Sequence, residues 1–371
     1  MRIGFDAHQI GTKLAGNATY ATSMVEALAA IDKTNDYSLY MTMPEAIEMY
    51  RARWPNFGVI QTRPHEPLVR IPISLSWELR RRPVDILFVQ FTAPPFAPCK
   101  VVTAIHDISY EHLPETFNRR SVFQMKLTIR HTALHAMRII TPSEYSRQDI
   151  IDTYKIAPEK VTTILQAAPA HVRKVEDVVE LGRIRSKYDL PSEFILGVGS
   201  VQPRKNLRRL IEAYSRLAKH ERDFPPLILV GKHAWLSGSS VDAAAEFGVA
   251  DKVRFTGFVP DEDLAGLYSA ATLFVYPSYF EGFGLPPLEA MQCGVPVIAG
   301  NKTSVPEVVG DAGILIDPFD IDAIAESIGL GLTDTGLRAS LIEKGFERAK
   351  LFTWEKAARE LLDVFEQVDA G

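Results

Sequence analysis

Two glutamates eight positions apart, Glu281 and Glu289, bound the segment of this 371-residue sequence with the clearest chemical content. It reads E-G-F-G-L-P-P-L-E, so glycines and prolines disfavour a helix across its first half. Proline suits the first position of a helix, and we therefore expect a loop that becomes helical near Pro287. Such a helix start would present backbone N–H groups to a phosphate or a sugar hydroxyl. The candidate ligand-binding amides are those of Phe283, Gly284 and Leu285.

The same segment continues into A-M-Q-C-G-V-P-V-I-A and resembles the E-x7-E signature of the family 4 retaining glycosyltransferases, which have the two-domain GT-B fold. The resemblance implies that Glu281 contacts hydroxyls of the donor sugar and that Glu289 holds the ribose hydroxyls of the nucleotide. It also implies that the amides between them face the sugar and its β-phosphate. Taken alone, Glu289 would be an ordinary first-turn carboxylate that offsets the helix dipole. The complete motif favours the binding role.

Two cations precede a predicted helix in the stretch G-V-G-S-V-Q-P-R-K-N, which follows a predicted strand. Arg204 and Lys205 would oppose the helix dipole there, so a negative group is expected beside them. In family terms, Lys205 matches the lysine that binds the diphosphate. Gly199 and Ser200 occupy the positions of the family's usual arginine, and Arg204 is the candidate replacement. The alternative is a charged loop that only solvent contacts.

Two further candidates lie in the first half of the chain. His106 ends a predicted strand, and the matching histidine of the family faces the donor sugar; a purely structural histidine is the alternative. Asp107 either assists the acceptor or caps the turn. The loop G-T-K-L-A-G resembles the family's glycine-rich loop near the donor phosphates, and Gly16 is its candidate for close backbone approach. The neighbouring Asn17 and Thr19 would serve equally well as helix caps.

Strand and helix patterns alternate along both halves of the chain, which indicates two parallel sheets covered by helices. This pattern predicts an α/β protein. The family resemblance implies two Rossmann-like, doubly wound domains that face each other across a cleft, with residues 1–168 binding the acceptor and residues 180–350 binding the nucleotide sugar. The family implies that the last helix, within residues 351–371, crosses back onto the first domain. Strands are predicted at residues 2–5, 37–43, 86–89, 101–105, 138–141, 194–198, 227–230, 253–255, 273–276, 295–299 and 314–316.

Composition excludes several classes of protein. The net charge of −5 argues against nucleic acid as the main partner, and no stretch has the apolar length that a membrane span needs. The two cysteines are far apart in sequence, so a reducing, cytoplasmic location is expected. Asp320 and Asp322 spell D-x-D, but they open a predicted helix after a proline, so we interpret them as capping residues. We expect no metal site and no cofactor besides the nucleotide-sugar substrate.

Basic residues in two stretches of the sequence would attract an anionic membrane or lipid acceptor: Arg80, Arg81, Arg82, Arg119, Arg120, Lys126 and Arg130. On a helical wheel, however, Lys126 and Arg130 share an arc with Phe123 and Leu134. A cleanly basic face is therefore absent, and a solvated surface is the preferred interpretation. Peripheral contact with the inner face of a membrane is the alternative. The oligomeric state is left open.

The expected function is a retaining, metal-independent transfer of a hexose from a nucleotide sugar to a hydroxyl of a glycan or lipid-linked acceptor. Arg204, Lys205 and the loop amides would stabilise the departing diphosphate, while Glu281 and the backbone near His106 would stabilise the sugar. Family resemblance in Y-P-S-Y-F-E-G-F-G-L-P-P makes GDP-mannose the first expectation for the donor. The alternatives are a sugar-nucleotide epimerase of the same architecture and a nucleotide-sugar-binding protein without catalytic activity.

Overall fold

The computed structural model describes residues 1–12, 15–219, 221–232 and 238–371. The chain forms two compact units. The first consists of Met1–His112, Arg119–Ala167 and Thr353–Gly371, and the second of Leu113–Asn118 and Ala168–Phe352. Each unit contains a parallel β-sheet with helices between most successive strands, so the expected α/β fold class is confirmed.

The first unit is built on a seven-stranded sheet in the order β3-β2-β1-β4-β5-β6-β7. Every neighbouring pair of strands is parallel. The strands are β1 (Arg2–Asp6), β2 (Asp36–Met41), β3 (Phe57–Gln61), β4 (Ile86–Gln90), β5 (Lys100–Ala104), β6 (Arg138–Thr141) and β7 (Val161–Thr163).

Helices of the first unit connect these strands and follow the last of them. They are α1 (Ala15–Ile31), α2 (Pro44–Tyr50), α3 (Pro67–Val69), α4 (Ser76–Arg81), α5 (Ser109–His112), α6 (Arg119–His135), α7 (Glu144–Tyr154) and the C-terminal helix (Trp354–Ala370). A π-helical segment, Arg70–Leu75, leads into α4, and a short 3-10 turn, Pro158–Lys160, precedes β7.

Two strands of this sheet, β3 and β7, are missing from the sequence-based prediction. β7 has only three residues, V-T-T, which is too short to show a periodic pattern. β3 reads F-G-V-I-Q, and its glycine weakens any strand signal. They become strands because β3 pairs with β2 and β7 pairs with β6. Their conformation is therefore decided by tertiary pairing rather than by local preference.

The main core of the first unit lies on one face of its sheet. Alternate residues of a strand point to opposite faces, and Phe5 and Phe88 point to the face that α1 and the C-terminal helix cover. Phe365 of the C-terminal helix is fully buried there, with its ring centroid 5.8 Å from that of Phe88. The last helix therefore returns to the first sheet, as the family resemblance implied.

The second unit has a six-stranded parallel sheet in the order β10-β9-β8-β11-β12-β13. All six strands were predicted from the sequence within two residues at either end. They are β8 (Ile195–Val198), β9 (Leu227–Val230), β10 (Val253–Gly257), β11 (Leu273–Tyr276), β12 (Val297–Gly300) and β13 (Gly313–Ile316).

Helices of the second unit alternate with these strands, and the last two helices follow β13. They are α8 (Val178–Lys187), α9 (Leu207–Ala218), α10 (Gly238–Glu246), α11 (Asp261–Ala270), α12 (Leu285–Gln292), α13 (Val305–Val309), α14 (Ile321–Thr333) and α15 (Thr335–Ala349). Two 3-10 turns, Pro114–Thr116 and Pro203–Lys205, also belong to it.

The strand order of the second sheet reverses between β8 and β11. From β8 the chain proceeds outward to β9 and β10, and it then returns to the other side of β8 to form β11. The connections that leave β8 and β11 therefore run to opposite halves of the sheet, and the carboxyl ends of these two strands mark the reversal. Ligands of open α/β sheets bind at such a reversal.

We predict that Phe365→Ala destabilises the protein by about 3–5 kcal/mol, because the change removes a fully buried ring from the core. Chemical denaturation followed by circular dichroism measures the loss. Glu366→Ala, at the next and exposed position of the same helix, is the matched control and should stay within about 0.5 kcal/mol of the unmodified protein. Equal losses for the two variants would contradict the packing described here.

Candidate active site

The loops after β8 and β11 bring three charged residues together. After β8, the 3-10 turn Pro203–Lys205 carries Arg204 and Lys205, and after β11 the chain reaches Glu281. Lys205 Nζ lies 2.6 Å from Glu281 Oε1, and Arg204 Nη1 lies 2.7 Å from Glu281 Oε2. The sequence placed these residues in two separate motifs, and it indicated a leaving diphosphate as the negative group beside the two cations. In the structure their negative partner is a protein carboxylate, that of Glu281.

This ion cluster is enclosed by protein. Glu281 is 7% exposed and Lys205 is 9% exposed. Two hydroxyl groups complete the shell of the carboxylate, because Tyr276 and Ser278 donate hydrogen bonds to Glu281 Oε1 at 2.7 and 2.5 Å. Sequence reasoning missed both hydroxyl donors, although the motif Y-P-S-Y-F-E contains them.

Glu281 is ionised in this setting. Burial by itself would raise the pKa of its carboxyl group, but the charges of Arg204 and Lys205 and the hydrogen bonds from Lys205 and Ser278 outweigh burial. The pKa is consequently lowered to about 2. With two cations and one carboxylate, the three charged residues together carry one excess positive charge. An anionic ligand would meet a partly compensated, fixed cationic surface.

The loop backbone holds these groups in place. Asn206 adopts a left-handed conformation, with φ of 60°, directly before α9. Its side-chain amide donates to the carbonyl groups of Pro277 and Pro318, which follow β11 and β13. The hydroxyl oxygen of Ser278 also lies 2.9 Å from the carbonyl oxygen of Arg204. Loops from three strands are thus tied together at the carboxyl edge of the sheet.

A pocket adjoins the ion cluster in the second unit. Its lining includes Gly199, Lys205, Val230 and Tyr276. The backbone of Gly199, which lines the pocket, is approached closely by a second segment, since a Cβ added to Gly231, where φ is 152°, would stand 1.9 Å from the carbonyl oxygen of Gly199. Only glycine fits that position. The pocket therefore has glycine backbone and one ammonium group in its lining.

The segment between the two glutamates folds as a loop followed by a helix, as expected. Helix α12 begins at Leu285, two residues before the predicted start, and its prolines occupy the first turn, which tolerates them. Gly284 precedes the helix with φ of 126°, a conformation that favours glycine. Within the described ranges, the N–H groups of Phe283, Gly284 and Leu285 have no protein acceptor. They stay candidates for ligand binding.

Glu289 is buried and lies one residue beyond the first turn of α12, so it is not the ordinary first-turn carboxylate of the alternative interpretation. It is the fifth residue of α12, it is 9% exposed, and it accepts a hydrogen bond of 2.8 Å from the hydroxyl of Tyr268. Burial raises the pKa of Glu289 to about 7, against the lowering effect of that hydrogen bond. The two glutamates of the motif therefore differ in charge near neutral pH, because, among the described residues, cations pair with Glu281 and not with Glu289.

His106 lies in the first unit, after β5, with both ring nitrogens engaged. Nε2 is 3.0 Å from Gln90 Oε1, and Nδ1 is 3.0 Å from the amide nitrogen of Gln166. Burial lowers the pKa of His106 to about 4, so the ring is neutral, with its proton on Nε2. The side chain of Asp107 accepts from the N–H of Ser109, which is the turn-capping alternative. A sugar hydroxyl would have to replace a glutamine at His106.

The glycine-rich loop is described only in part, because residues 13 and 14 lie outside the described ranges. Gly16 is exposed in the first turn of α1, and a Cβ there would meet no atom within 4 Å among the described residues. Close approach of protein backbone therefore does not require glycine at this position. Asn17 and Thr19 lie inside α1, so the prediction that they cap a helix is wrong.

The D-x-D motif behaves as expected. Asp320 caps α14 by accepting a hydrogen bond from the N–H of Ala323 at 3.0 Å, and Asp322 pairs with Arg216. In the parts of the chain that the structure describes, no group of three or more His, Cys, Asp or Glu side chains is arranged to hold a metal ion.

Comparisons with known protein families cover both units. Residues 182–348 match the family described as "Glycosyl transferases group 1", and residues 16–167 match "Glycosyltransferase Family 4". The chain is 34% identical to O-antigen chain mannosyltransferase B of Escherichia coli over 99% of this chain and 100% of that protein. It is 30% identical to MMP alpha-(1->4)-mannosyltransferase of Mycolicibacterium hassiacum over 65% of this chain and 56% of that protein.

Solved structures share the fold. Sucrose-phosphate synthase from Thermosynechococcus elongatus superposes with a TM-score of 0.78 at 20% identity, covering 100% of this chain and 99% of that one. Anabaena HepE in complex with UDP-glucose superposes with a TM-score of 0.76 at 19% identity, covering 99% and 100%. At these identities, the likeness extends to the two-domain architecture.

The raised pKa of Glu289 predicts a pH-dependent effect of Glu289→Gln. The folded protein holds a proton between the ordinary pKa of 4.5 and about 7 that the unfolded chain has lost, so its stability falls as pH rises through this interval. Glutamine keeps an acceptor for Tyr268 and removes the titration. Relative to the unmodified protein, the variant should gain up to about 3 kcal/mol between pH 5 and pH 8.

Urea denaturation of both proteins at the two pH values measures this gain. Glu326→Gln, at an exposed position of α14, is the control and should show no such gain. An offset between Glu289→Gln and the unmodified protein that is the same at both pH values would contradict a titrating Glu289.

Proposed function

This chain belongs to the group 1 glycosyl transferases, and we propose that it transfers mannose from GDP-mannose, with retention, to a hydroxyl of a growing glycan or lipid-linked acceptor. That it is a glycosyltransferase rests on full-length similarity to a curated relative. The mannosyl group is supported by that relative and by a second mannosyltransferase. The main observation that supports the proposed position of the active site is the ion cluster of Glu281, Lys205 and Arg204 beside the pocket that Gly197 and Gly199 line.

Donor binding would place the diphosphate against the two cations. Transfer of the sugar leaves negative charge on the departing diphosphate, and fixed positive groups that already point at this position stabilise it without reorganisation. Lys205 lines the pocket, and Glu281 holds it through a hydrogen bond of 2.6 Å. The diphosphate would compete with Glu281 for this ammonium group. Glu281 thus positions the lysine, besides the contact with sugar hydroxyls that the family resemblance implies.

Proton transfer is assigned to the donor rather than to Glu281. A carboxylate whose pKa is about 2 is a weak base at neutral pH, and four donor groups already surround it. An oxygen of the leaving diphosphate is the better acceptor for the proton of the attacking hydroxyl. This arrangement supports attack on the same face that the diphosphate leaves, which retains the configuration at the sugar.

The nucleotide would be held at the other end of the motif. Glu289, the buried fifth residue of α12, would accept hydrogen bonds from the ribose hydroxyls, as the family resemblance implies. The N–H groups of Phe283, Gly284 and Leu285 would face the sugar and β-phosphate. Arg204 and Lys205 supply the positive charge for which other transferases use a divalent ion, so we propose transfer without a metal.

The central prediction for catalysis concerns Lys205. Lys205→Ala should lower kcat by about 10²–10³-fold, because it removes a fixed charge from the position where the leaving group becomes negative. Release of GDP from GDP-mannose in the presence of acceptor measures the rate. Arg208→Ala is the matched control, since this nearby residue pairs with Glu246 at the surface. Near-normal turnover of Lys205→Ala would contradict the assignment of the site.

The donor and the stereochemistry require a separate experiment. Thermal shift with a panel of nucleotide sugars should show the largest stabilisation by GDP-mannose, through mass action on the folded state. NMR of the product should show the α-anomer of mannose. Stabilisation by UDP-glucose alone would overturn the proposed donor. Conversion of the donor without any acceptor would identify an epimerase, and binding without turnover would identify a non-catalytic binding protein.

A further inference from the structure

The first sheet has a second covered face, opposite the main core. Ile86 and Phe88 of β4 point into the main core, whereas Leu87 and Val89 point the other way. The cluster on this second face includes Leu79 of α4 and side chains of the loop 92–99. It also includes Ala136, which directly follows α6. Helix α4, this loop and helix α6 therefore form one layer on the same side of the sheet.

The loop 92–99 is fastened to α6 by hydrogen bonds. The N–H of Ala93 donates to the hydroxyl of Thr132 at 3.0 Å, and the hydroxyls of Thr92 and Thr128 are 3.3 Å apart. The inner sides of α4, the loop 92–99 and α6 pack against the sheet. Their outer sides therefore make a continuous surface. We name the outer side of this layer the α4–α6 face.

The α4–α6 face exposes large apolar side chains. Spacings of four and seven residues on α6 bring Phe123, Leu127 and Leu134 to one outer stripe, and Ile73 and Trp77 are likewise four residues apart. The exposed fractions of the side chains that define the face are Ile73 63%, Trp77 66%, Phe96 81%, Phe123 72%, Leu127 63% and Leu134 45%. Single exposed apolar residues are common on protein surfaces, but a set of this size on one layer indicates contact with another phase or molecule.

Positive charge accompanies these apolar groups. No acidic residue occurs in the sequence from Arg119 to Arg138, and Arg119 and Arg130 are exposed on α6. Three consecutive arginines, 80–82, are exposed at the end of α4. Two of the cations have carboxylate partners: Lys126 pairs with Glu111 at 2.7 Å, and Arg82 pairs with Glu78 at 3.9 Å. The face therefore combines apolar side chains with an excess of guanidinium groups.

The mixing of cations with apolar groups changes the interpretation given by the sequence alone. A cleanly basic face is absent on α6, as expected, yet the apolar residues of the mixed arc are exposed rather than packed. Helices that lie in a membrane interface bury Phe, Trp and Leu among acyl chains while arginines on the same helix reach up to the phosphates. On a surface that contacts only water, exposing Phe96, Phe123 and Trp77 to this extent would be unfavourable.

We propose that the α4–α6 face docks this protein onto an anionic lipid bilayer, with its aromatic and aliphatic side chains inserted at the headgroup boundary. Charge complementarity selects this occupant, since arginines surround the apolar groups and anionic headgroups attract them. Contact is peripheral: among the described residues, no helix combines the length and the apolarity needed to cross a bilayer. The proposal does not depend on the identity of the sugar donor or on the assigned catalytic residues.

Flotation of the purified full-length protein with vesicles tests this docking. Vesicles of phosphatidylethanolamine with about one third phosphatidylglycerol should carry the protein at low salt, whereas vesicles of phosphatidylcholine should carry at least about tenfold less. The double variant Phe123→Ser with Leu127→Ser should lose at least about tenfold in binding, and Arg119→Glu with Arg130→Glu should lose a similar factor. High salt should weaken binding of the unmodified protein.

The matched control removes equal apolar exposure from another helix. Val178 and Val179 of α8 are each 81% exposed, so Val178→Ser with Val179→Ser should leave vesicle binding unchanged. Circular dichroism and transfer to a soluble acceptor confirm that the variants fold. Absence of the unmodified protein from anionic vesicles, or equal losses in the α8 control, would overturn the proposal. A dimer in light scattering that Phe123→Ser with Leu127→Ser dissociates would instead make the face a contact between two copies.

Discussion

The buried ion cluster of Glu281, Lys205 and Arg204 is the constraint on which the second unit's site depends. A lysine that is 9% exposed would be costly to keep charged without a partner, and Glu281 provides one at 2.6 Å. The carboxylate also fixes where the ammonium group points. Two loops that leave neighbouring strands are thereby held at a fixed separation, and the ammonium group of Lys205 lines the small pocket before any ligand arrives. Preorganisation of this kind is what stabilisation of a departing diphosphate requires.

The two glutamates of the motif show that neighbouring charges and hydrogen-bond donors determine the pKa of carboxyl groups that are buried to the same extent. Glu281 and Glu289 are 7% and 9% exposed, yet the pKa of the first is lowered to about 2 and that of the second is raised to about 7. Two cations and several hydrogen bonds overcome burial at Glu281, whereas a single phenol does not at Glu289. One motif therefore supplies a permanent negative charge and a carboxyl group that titrates near neutrality.

The fold was predictable where the signal is local or repeated. All six strands of the second sheet, the loop-to-helix change at the motif and the capping role of Asp320 follow from periodicity, proline and glycine. β3 and β7 were not, because only pairing with neighbouring strands makes them extended. The contact of Glu281 with Lys205 was missed for a similar reason. This contact joins residues that are far apart in sequence. Neither motif indicates that the loops of Lys205 and Glu281 follow adjacent strands. The hydroxyls of Tyr276 and Ser278 stand next to Glu281 in the sequence, but only the turn after β11 aims them at it.

The most direct test of the central claim is the contribution of Lys205 to recognition of the diphosphate. Isothermal titration calorimetry would compare GDP with guanosine, and UDP with uridine, for the unmodified protein and for Lys205→Ala. The account predicts that, for the nucleotide that binds, loss of the phosphates weakens binding of the unmodified protein by at least about 100-fold, and that Lys205→Ala removes most of this difference. The same phosphate dependence in both proteins would contradict it.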